Sequence, residues 1–430
     1  MRTLLADGGE RNTWAGPPPV GRGSPPGGWT PPDGRETRTG RRARTEAAGE
    51  PSGRWTPAGE PPFRLVMMHG QHDGPVRLQD GRVLFAGGAG PGLRTLDGAA
   101  LFHPDEARWT VTAPLLRARR MHTLTPLADG RVLAVGGITG PQAYPPPALA
   151  TAELYDPVTA TWTATGDLHE ARHSHAAVRL PDGRVLVAGG QRPRDTRAQR
   201  TLASVELYDP ETGVWTPARE MGDARWHHQA VLLHDGRVLV VGGLTDIGRT
   251  RSRTLGLCEL YDPTADIWTP TGALHDARCA HQTLVLVDGT VLTVGGFGPR
   301  AAGDDGRYDP YSLAGVERYD PVAEEWRTEP PLPWGRGHHR ALLLGSGEVL
   351  VCGGTDQACQ DVGHAGALRY DPGARSWSVA GPMATGRWAF GAVVLDDGRV
   401  LAAGGVARMG AAAPAIGADL PAATAEVFTP

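Results

Sequence analysis

The apolar positions of this chain fall in short clusters separated by turn residues, and the copy at 172–215 shows the pattern. Residues Arg172 to Leu180 read as one short strand. Asp182-Gly183 follows, and Asp-Gly between apolar runs marks a tight hairpin because glycine takes positive φ. Arg184-Val185-Leu186-Val187-Ala188 is nearly all apolar, as expected of a strand covered on both faces. Gly189-Gly190 ends it and permits a sharp exit or a close backbone approach. Val205-Glu206-Leu207-Tyr208 predicts a third strand, Asp209-Pro210-Glu211-Thr212-Gly213 a turn, and Val214-Trp215-Thr216 a fourth strand. The unit is therefore four short antiparallel strands in about fifty residues.

The unit recurs. Double glycines stand at 87/88, 136/137, 189/190, 242/243, 295/296, 353/354 and 404/405. Fourth-strand tryptophans stand at Trp109, Trp162, Trp215, Trp268, Trp326 and Trp377, one fewer than the glycine pairs. The last copy ends at Ala425-Glu426-Val427-Phe428-Thr429-Pro430 with no tryptophan after it. Arg54-Trp55-Thr56-Pro57 matches the missing piece. The fold class predicted is all-β: a seven-bladed propeller with four antiparallel strands per blade, the last blade closed by the N-terminal strand. Closure hides the edges an open sheet would expose. Residues 1–50 are rich in Pro, Gly and Arg with few large apolar residues, so they are expected to form a disordered arm. Residues 51–430 are expected to form the propeller.

The double glycine, the Tyr and the Trp at this period resemble the kelch repeat, over nearly the whole of 53–430. The resemblance implies that the first strand of each blade lines a central channel. It also implies that the turn opening that strand shares one face with the loop after the double glycine, a face that often binds ligands. Kelch propellers serve many functions, so fold alone assigns none.

Composition narrows the partners. The net charge of −4 gives no case for nucleic acid or an anionic membrane. All 43 basic residues are arginine, which fits a GC-rich genome as well as selection for guanidinium chemistry. Cys258, Cys279, Cys352 and Cys359 have neither zinc-site nor disulfide-framework spacing. With no apolar run of membrane length and no apolar leader, a cytoplasmic monomer is expected.

Candidate chemistry lies at the opening turns. An arginine leads six of the seven copies, at Arg119, Arg172, Arg225, Arg278, Arg336 and Arg387, and five are followed three positions later by His122, His175, His228, His281 and His339. A residue repeated at every blade cannot converge on one ion, so these histidines are read as scaffold. Binding candidates are Arg172, Arg225, Arg278, Arg336 and Arg387, with Arg192, Arg194, Arg249, Tyr308 and Tyr311 in the loops and Trp226, Trp334 and Trp388 off the repeat position. Guanidinium groups fork carboxylate and phosphate, and loops on a rigid scaffold commonly carry recognition.

Three turns add an acid two residues before the arginine: Glu170, Asp223 and Asp276. The expected role of the chain is a recognition module for a protein or small anionic ligand, with no cofactor. The alternative is a metal-dependent lyase or isomerase at the channel mouth, using Glu170, Asp223 and Asp276 as catalytic groups. Its metal would be Fe(II), Mn(II) or Zn(II) on Asp223, His227 and His338. Kelch specifier proteins carry Glu-x-x-x-Asp-x-x-x-His. Here Asp223 and His227 keep that spacing, but Glu220 stands three residues before Asp223. The paired tyrosines and histidines of a galactose-oxidase-like copper site are not matched, because five of the eight tyrosines belong to third strands.

Overall fold

The computed structural model describes residues 52–63, 74–90, 94–140, 146–195, 198–247, 251–299, 310–356, 362–408 and 420–430. The expected arm at 1–50 lies outside them. The described residues contain no helix, hence none long and apolar enough to cross a membrane.

Seven four-stranded antiparallel sheets follow one another along the chain as the blades of a β-propeller. Blade 3 shows the pattern: Ala176–Arg179, Val185–Ala188, Val205–Asp209 and Val214–Ala218. Its second strand is buried at every position, whereas its fourth alternates between exposed and covered positions. That difference follows from place: the second strand is sandwiched between neighbouring blades, while the fourth forms a rim. The cores are accordingly shared. Leu133 and Val135 of blade 2 pack with Val185, Val187 and Tyr208 of blade 3.

The last blade consists of Gly391–Val394, Val400–Ala403 and Ala425–Thr429, with Arg54–Pro57 added as its outer strand. The added strand pairs antiparallel with register Trp55 to Phe428. Trp55 and Phe428 have ring centroids 5.2 Å apart. Tyr208 and Trp215 occupy the same two positions in blade 3 at 4.9 Å. The N-terminal tryptophan thus supplies the missing seventh copy.

Two further sets of contacts tie neighbours together. The N–H of each second glycine from Gly88 to Gly354 donates to the carbonyl of the next blade's opening arginine at 2.8–2.9 Å. A Cβ on Gly189 would stand 2.5 Å from the Arg225 carbonyl oxygen and 2.9 Å from His228 Cε1, so no larger residue fits. On the opposite face, the arginine of the Asp-Gly-Arg turn reaches the Asp-Pro turn of the next blade in blades 1, 2, 4 and 7. Arg131 Nη2 donates to the Pro210 carbonyl at 3.1 Å, and Arg399 Nη2 donates to the Pro104 carbonyl at 3.3 Å, joining blade 7 to blade 1. In blade 5 the turn carries Thr290 instead, and Arg318 makes the equivalent bond to the Pro372 carbonyl.

Deleting residues 1–50 is expected to leave the melting temperature unchanged, whereas deleting 1–60 removes Trp55 and the closing strand and should lower it sharply. Trp55→Ala alone should cost about 3 kcal/mol in urea unfolding, the usual scale for emptying a buried tryptophan site. Equal melting of the two truncations would refute the closure.

Candidate functional site

Antiparallel alternation places the opening turns and the loops after the double glycines on one face. The opening arginines lie beneath that face, each wholly buried. Arg225 Nη1 donates to the carbonyls of Gly242 and Leu257 at 3.0 and 2.9 Å, and its Nη2 donates to Glu259 Oε1 at 2.5 Å. Arg119, Arg172, Arg278 and Arg387 repeat this with Glu153, Glu206, Glu317 and Glu426. The same carboxylates also accept backbone N–H groups of the opening turn, as Glu259 does from Gly222 and Asp223. Each guanidinium is therefore a bolt joining the turn, the double glycine and the third strand of its own blade. Burial lowers Arg119, Arg172, Arg278 and Arg387 from their usual pKa, and their glutamates oppose that shift.

This corrects the reading of Arg172, Arg225, Arg278, Arg336 and Arg387 as surface binding groups, since none is exposed. Sequence reasoning missed their partner. The glutamate of Glu-Leu-Tyr-Asp-Pro was visible in the repeat, on a strand otherwise apolar, where a buried carboxylate requires a cation.

The repeat histidines are buried scaffold as expected. His122 is pushed down to about 3 by burial and by Arg119, and His339 well below its usual value by the same kind of cause. His173, one residue after Arg172, is lowered to about 4, again chiefly by burial.

Around the channel a third chain of contacts runs through residues with positive φ. Met121, Ser174, His227, Ala280, His338 and Ala389 have φ between 50° and 54° except Ala389 at 49°. The N–H of Ser174 donates to the Met121 carbonyl, that of His227 to Ser174, that of His338 to Ala280 and that of Ala389 to His338, at 3.0–3.2 Å. His227 and His338 thus hold equivalent places two blades apart. His227 stacks beside Trp226 with centroids 4.3 Å apart, and His338 lies between Phe297 and Trp388 at 5.3 and 5.6 Å. Among the described residues no group of three metal-ligating side chains comes together, so Asp223, His227 and His338 are not assembled as a ligand set.

The three added acids have separate fates. Glu170 accepts from Ser204 Oγ at 2.5 Å and pairs with Arg192 at 2.7 Å. Asp276 stands 3.9 Å from Arg278 Nη2 and remains half exposed. Asp223 is partly covered and joins Glu259 only through its backbone. Of the tryptophans, Trp388 is buried against Ala89, Ala389 and Val406, and Trp226 packs on Leu244, Cys279, Ala280 and Phe297. Trp334 is 49% exposed.

The loops after the double glycines hold structure that sequence reading left as irregular. Two-stranded hairpins rise from blade 3 (Gln191–Asp195 with Ala198–Thr201), blade 4 (Leu244–Asp246 with Ser252–Thr254), blade 5 (Phe297–Pro299 with Pro310–Ser312) and blade 7 (Val406–Arg408 with Leu420–Pro421). Asp246 of the second accepts from Thr201 N at 3.1 Å and Gln191 Nε2 at 3.2 Å, clamping the first. Arg194, Arg200, Arg251 and Arg253 are exposed on these two hairpins. Tyr311 is half-buried in the third. Arg249 and Tyr308 lie outside the described residues.

Comparisons with known proteins agree with this architecture. A family model described as the Kelch motif matches residues 172–222 and 278–333. Kelch-like protein 34 of Homo sapiens is 33% identical over 267 residues, covering 61% of this chain and 37% of that protein. Alpha-scruin of Limulus polyphemus is 27% identical over 261 residues, covering 59% of this chain and 26% of that one. The match therefore spans well under half the length of these relatives. Among solved structures, a fungal alcohol oxidase of the AA5 family in complex with copper superposes with a TM-score of 0.64 at 16% identity, over 88% of this chain and 76% of that one. That likeness is one of fold. The protein is a seven-bladed β-propeller. Its repeats are similar to the Kelch motif.

Stability should fall as pH drops from 7 to 5. His122, His173 and His339 stay neutral in the folded state, whereas in the unfolded chain they take up protons below about pH 6.5. The unfolded state then binds more protons, so the unfolding free energy rises with pH through this window. Urea unfolding at pH 7 and 5 checks the sign, and equal free energies would show that the histidines are not held neutral.

Proposed function

We propose that this propeller is a recognition module that binds an acidic segment of a partner protein on the face carrying the opening turns and hairpins. The observation that carries the reading is the wall formed by the hairpins of blades 3 and 4. It is tied together by Asp246 and carries exposed Arg194, Arg200, Arg251 and Arg253. The wall is basic in a chain of net charge −4, so its charge is local. Arginines on a rigid scaffold suit carboxylates because the planar guanidinium forks both oxygens. The buried arginines beneath the wall fix its base without offering themselves to a partner.

A synthetic polyglutamate peptide is the probe. It should bind with an affinity that falls as salt rises, since exposed charges are screened. Arg194→Glu with Arg200→Glu should weaken it at least tenfold, a loss of about 1.4 kcal/mol, without moving the melting temperature. Unchanged binding by the double variant would refute the reading. Stoichiometric Fe, Mn or Zn in the purified protein, lost on Asp223→Ala, would instead favour metal-dependent chemistry at the channel mouth.

A further inference from the structure

Blade 6 breaks the bolt that the other arginine-bearing blades share. Arg336 is as buried as its counterparts, and its Nη1 still donates to the carbonyls of Gly353 and Gly366 at 3.1 and 3.2 Å. The glutamate position, however, is Leu368, buried on the third strand. Two residues earlier, Thr151, Ser204 and Thr424 supply hydroxyls to the guanidinium in blades 2, 3 and 7, and here Gly366 supplies none. Among the described residues Arg336 Nη2 consequently has no hydrogen-bond partner. It is the one opening arginine whose Nη2 is left so.

The turn has changed to match. In the other arginine-bearing blades the glutamate accepts two successive backbone N–H groups, such as those of His275 and Asp276 in blade 5. The corresponding residues in blade 6 are Pro333, which has no N–H, and Trp334. Blade 5 shows what belongs above the guanidinium. It also has a glycine, Gly315, and a Cβ there would meet Asp276 Oδ2 at 2.9 Å. That carboxylate stands 3.9 Å from Arg278 Nη2. A Cβ on Gly366 would meet only Trp334 Cζ2, at 3.9 Å. Blade 6 therefore has the same glycine gap, with an indole in place of the acid. The exposed Trp334 ring lies 5.9 Å from the Arg336 guanidinium carbon and covers it.

We propose that Arg336, Gly366 and Trp334 form a carboxylate-binding site at the opening of blade 6, in which an external carboxylate replaces the missing glutamate. Trp334 swings aside as the carboxylate enters over Gly366 and accepts from Nη2. Among the described residues no carboxylate is paired with Arg336. The Cys352 thiol is pushed up to about 12 by burial and is neutral, and Asp356 lies 3.5 Å from His364 Nε2. A buried guanidinium with no carboxylate beside it carries an uncompensated desolvation cost, which the incoming carboxylate offsets. The site is independent of the basic wall, which stands on other blades.

The test measures melting temperature in sodium acetate against sodium chloride at equal ionic strength. Acetate at about 100 mM should raise the unmodified protein by about 2 °C over chloride. Arg336→Met should abolish the difference. Leu368→Glu should melt higher in chloride and respond no further to acetate. An N-acetyl-Gly-Glu-Gly amide and its Gln analogue separate the sources. A larger response to the Glu peptide than to acetate identifies an acidic side chain of a partner, and a larger response to acetate identifies a free small acid. No shift in the unmodified protein, or the same shift in Arg336→Met, overturns the site. Arg336→Met leaves no charge behind, so it remains decisive should Leu368→Glu not fold.

Discussion

The fold depends on a buried positive charge at the opening of blades 2 to 7. A guanidinium with no contact with water has lost its hydration and must find every partner inside the protein. Arg225 does so with two carbonyls and one carboxylate, and those partners come from the double glycine and from the start of the third strand, while the arginine itself belongs to the opening turn. Satisfying one group therefore fixes the double glycine, the third strand and the opening turn together. Removing one partner of such a pair costs about 3–5 kcal/mol, because the other is left charged and dry. The bolt therefore specifies geometry more than it adds net stability.

The rings between blades build on that fixed point. The arginine carbonyl that accepts from the previous blade's second glycine belongs to the bolted residue itself. Its position is set by the guanidinium on one side and read by the neighbouring backbone on the other. The double glycine follows from this close approach, because a Cβ on Gly189 would overlap the Arg225 carbonyl oxygen. The positive-φ ring at the channel and the arginine links on the opposite face repeat the arrangement at two further levels. A closed structure held at three levels can carry hairpins of different length and charge on one face without altering its base.

Much of this was legible in the sequence, because a repeat displays one physical solution several times. Strand number, the tight turns and the closing role of Trp55 followed from the pattern of apolar residues and from the count of tryptophans against glycine pairs. The function of Arg172 and its counterparts was not read correctly. Arginine at the start of a strand looks like a surface group, and its burial depends on a glutamate 34 residues away that only the folded blade brings near. The hairpins were hidden for a different reason. Gln191–Asp195 and Ala198–Thr201 are polar and irregular in sequence, and they are held by pairing with each other and by Asp246 of the next blade rather than by an apolar face.

The bolt also gives meaning to the blades that lack it. Blade 1 has Ala100 in the glutamate position and, in sequence register, Gly70 in the arginine position, so both charges have gone together. That is the neutral way to lose a buried pair, since no ion is left behind. Blade 6 has lost the glutamate alone and kept the arginine at full burial. Drift toward stability would remove Arg336 as well, because methionine of similar length would pack there without a desolvation cost. A guanidinium without its glutamate, a glycine gap beside it, a proline that deletes the matching N–H and an exposed indole above it are four features that meet at one blade opening. Independent loss of a structural bolt accounts for one of them. A carboxylate supplied from outside accounts for all four: the charge has its partner, the glycine leaves it room, the proline withholds a donor that no longer has an acceptor, and the indole shields the site until the carboxylate arrives.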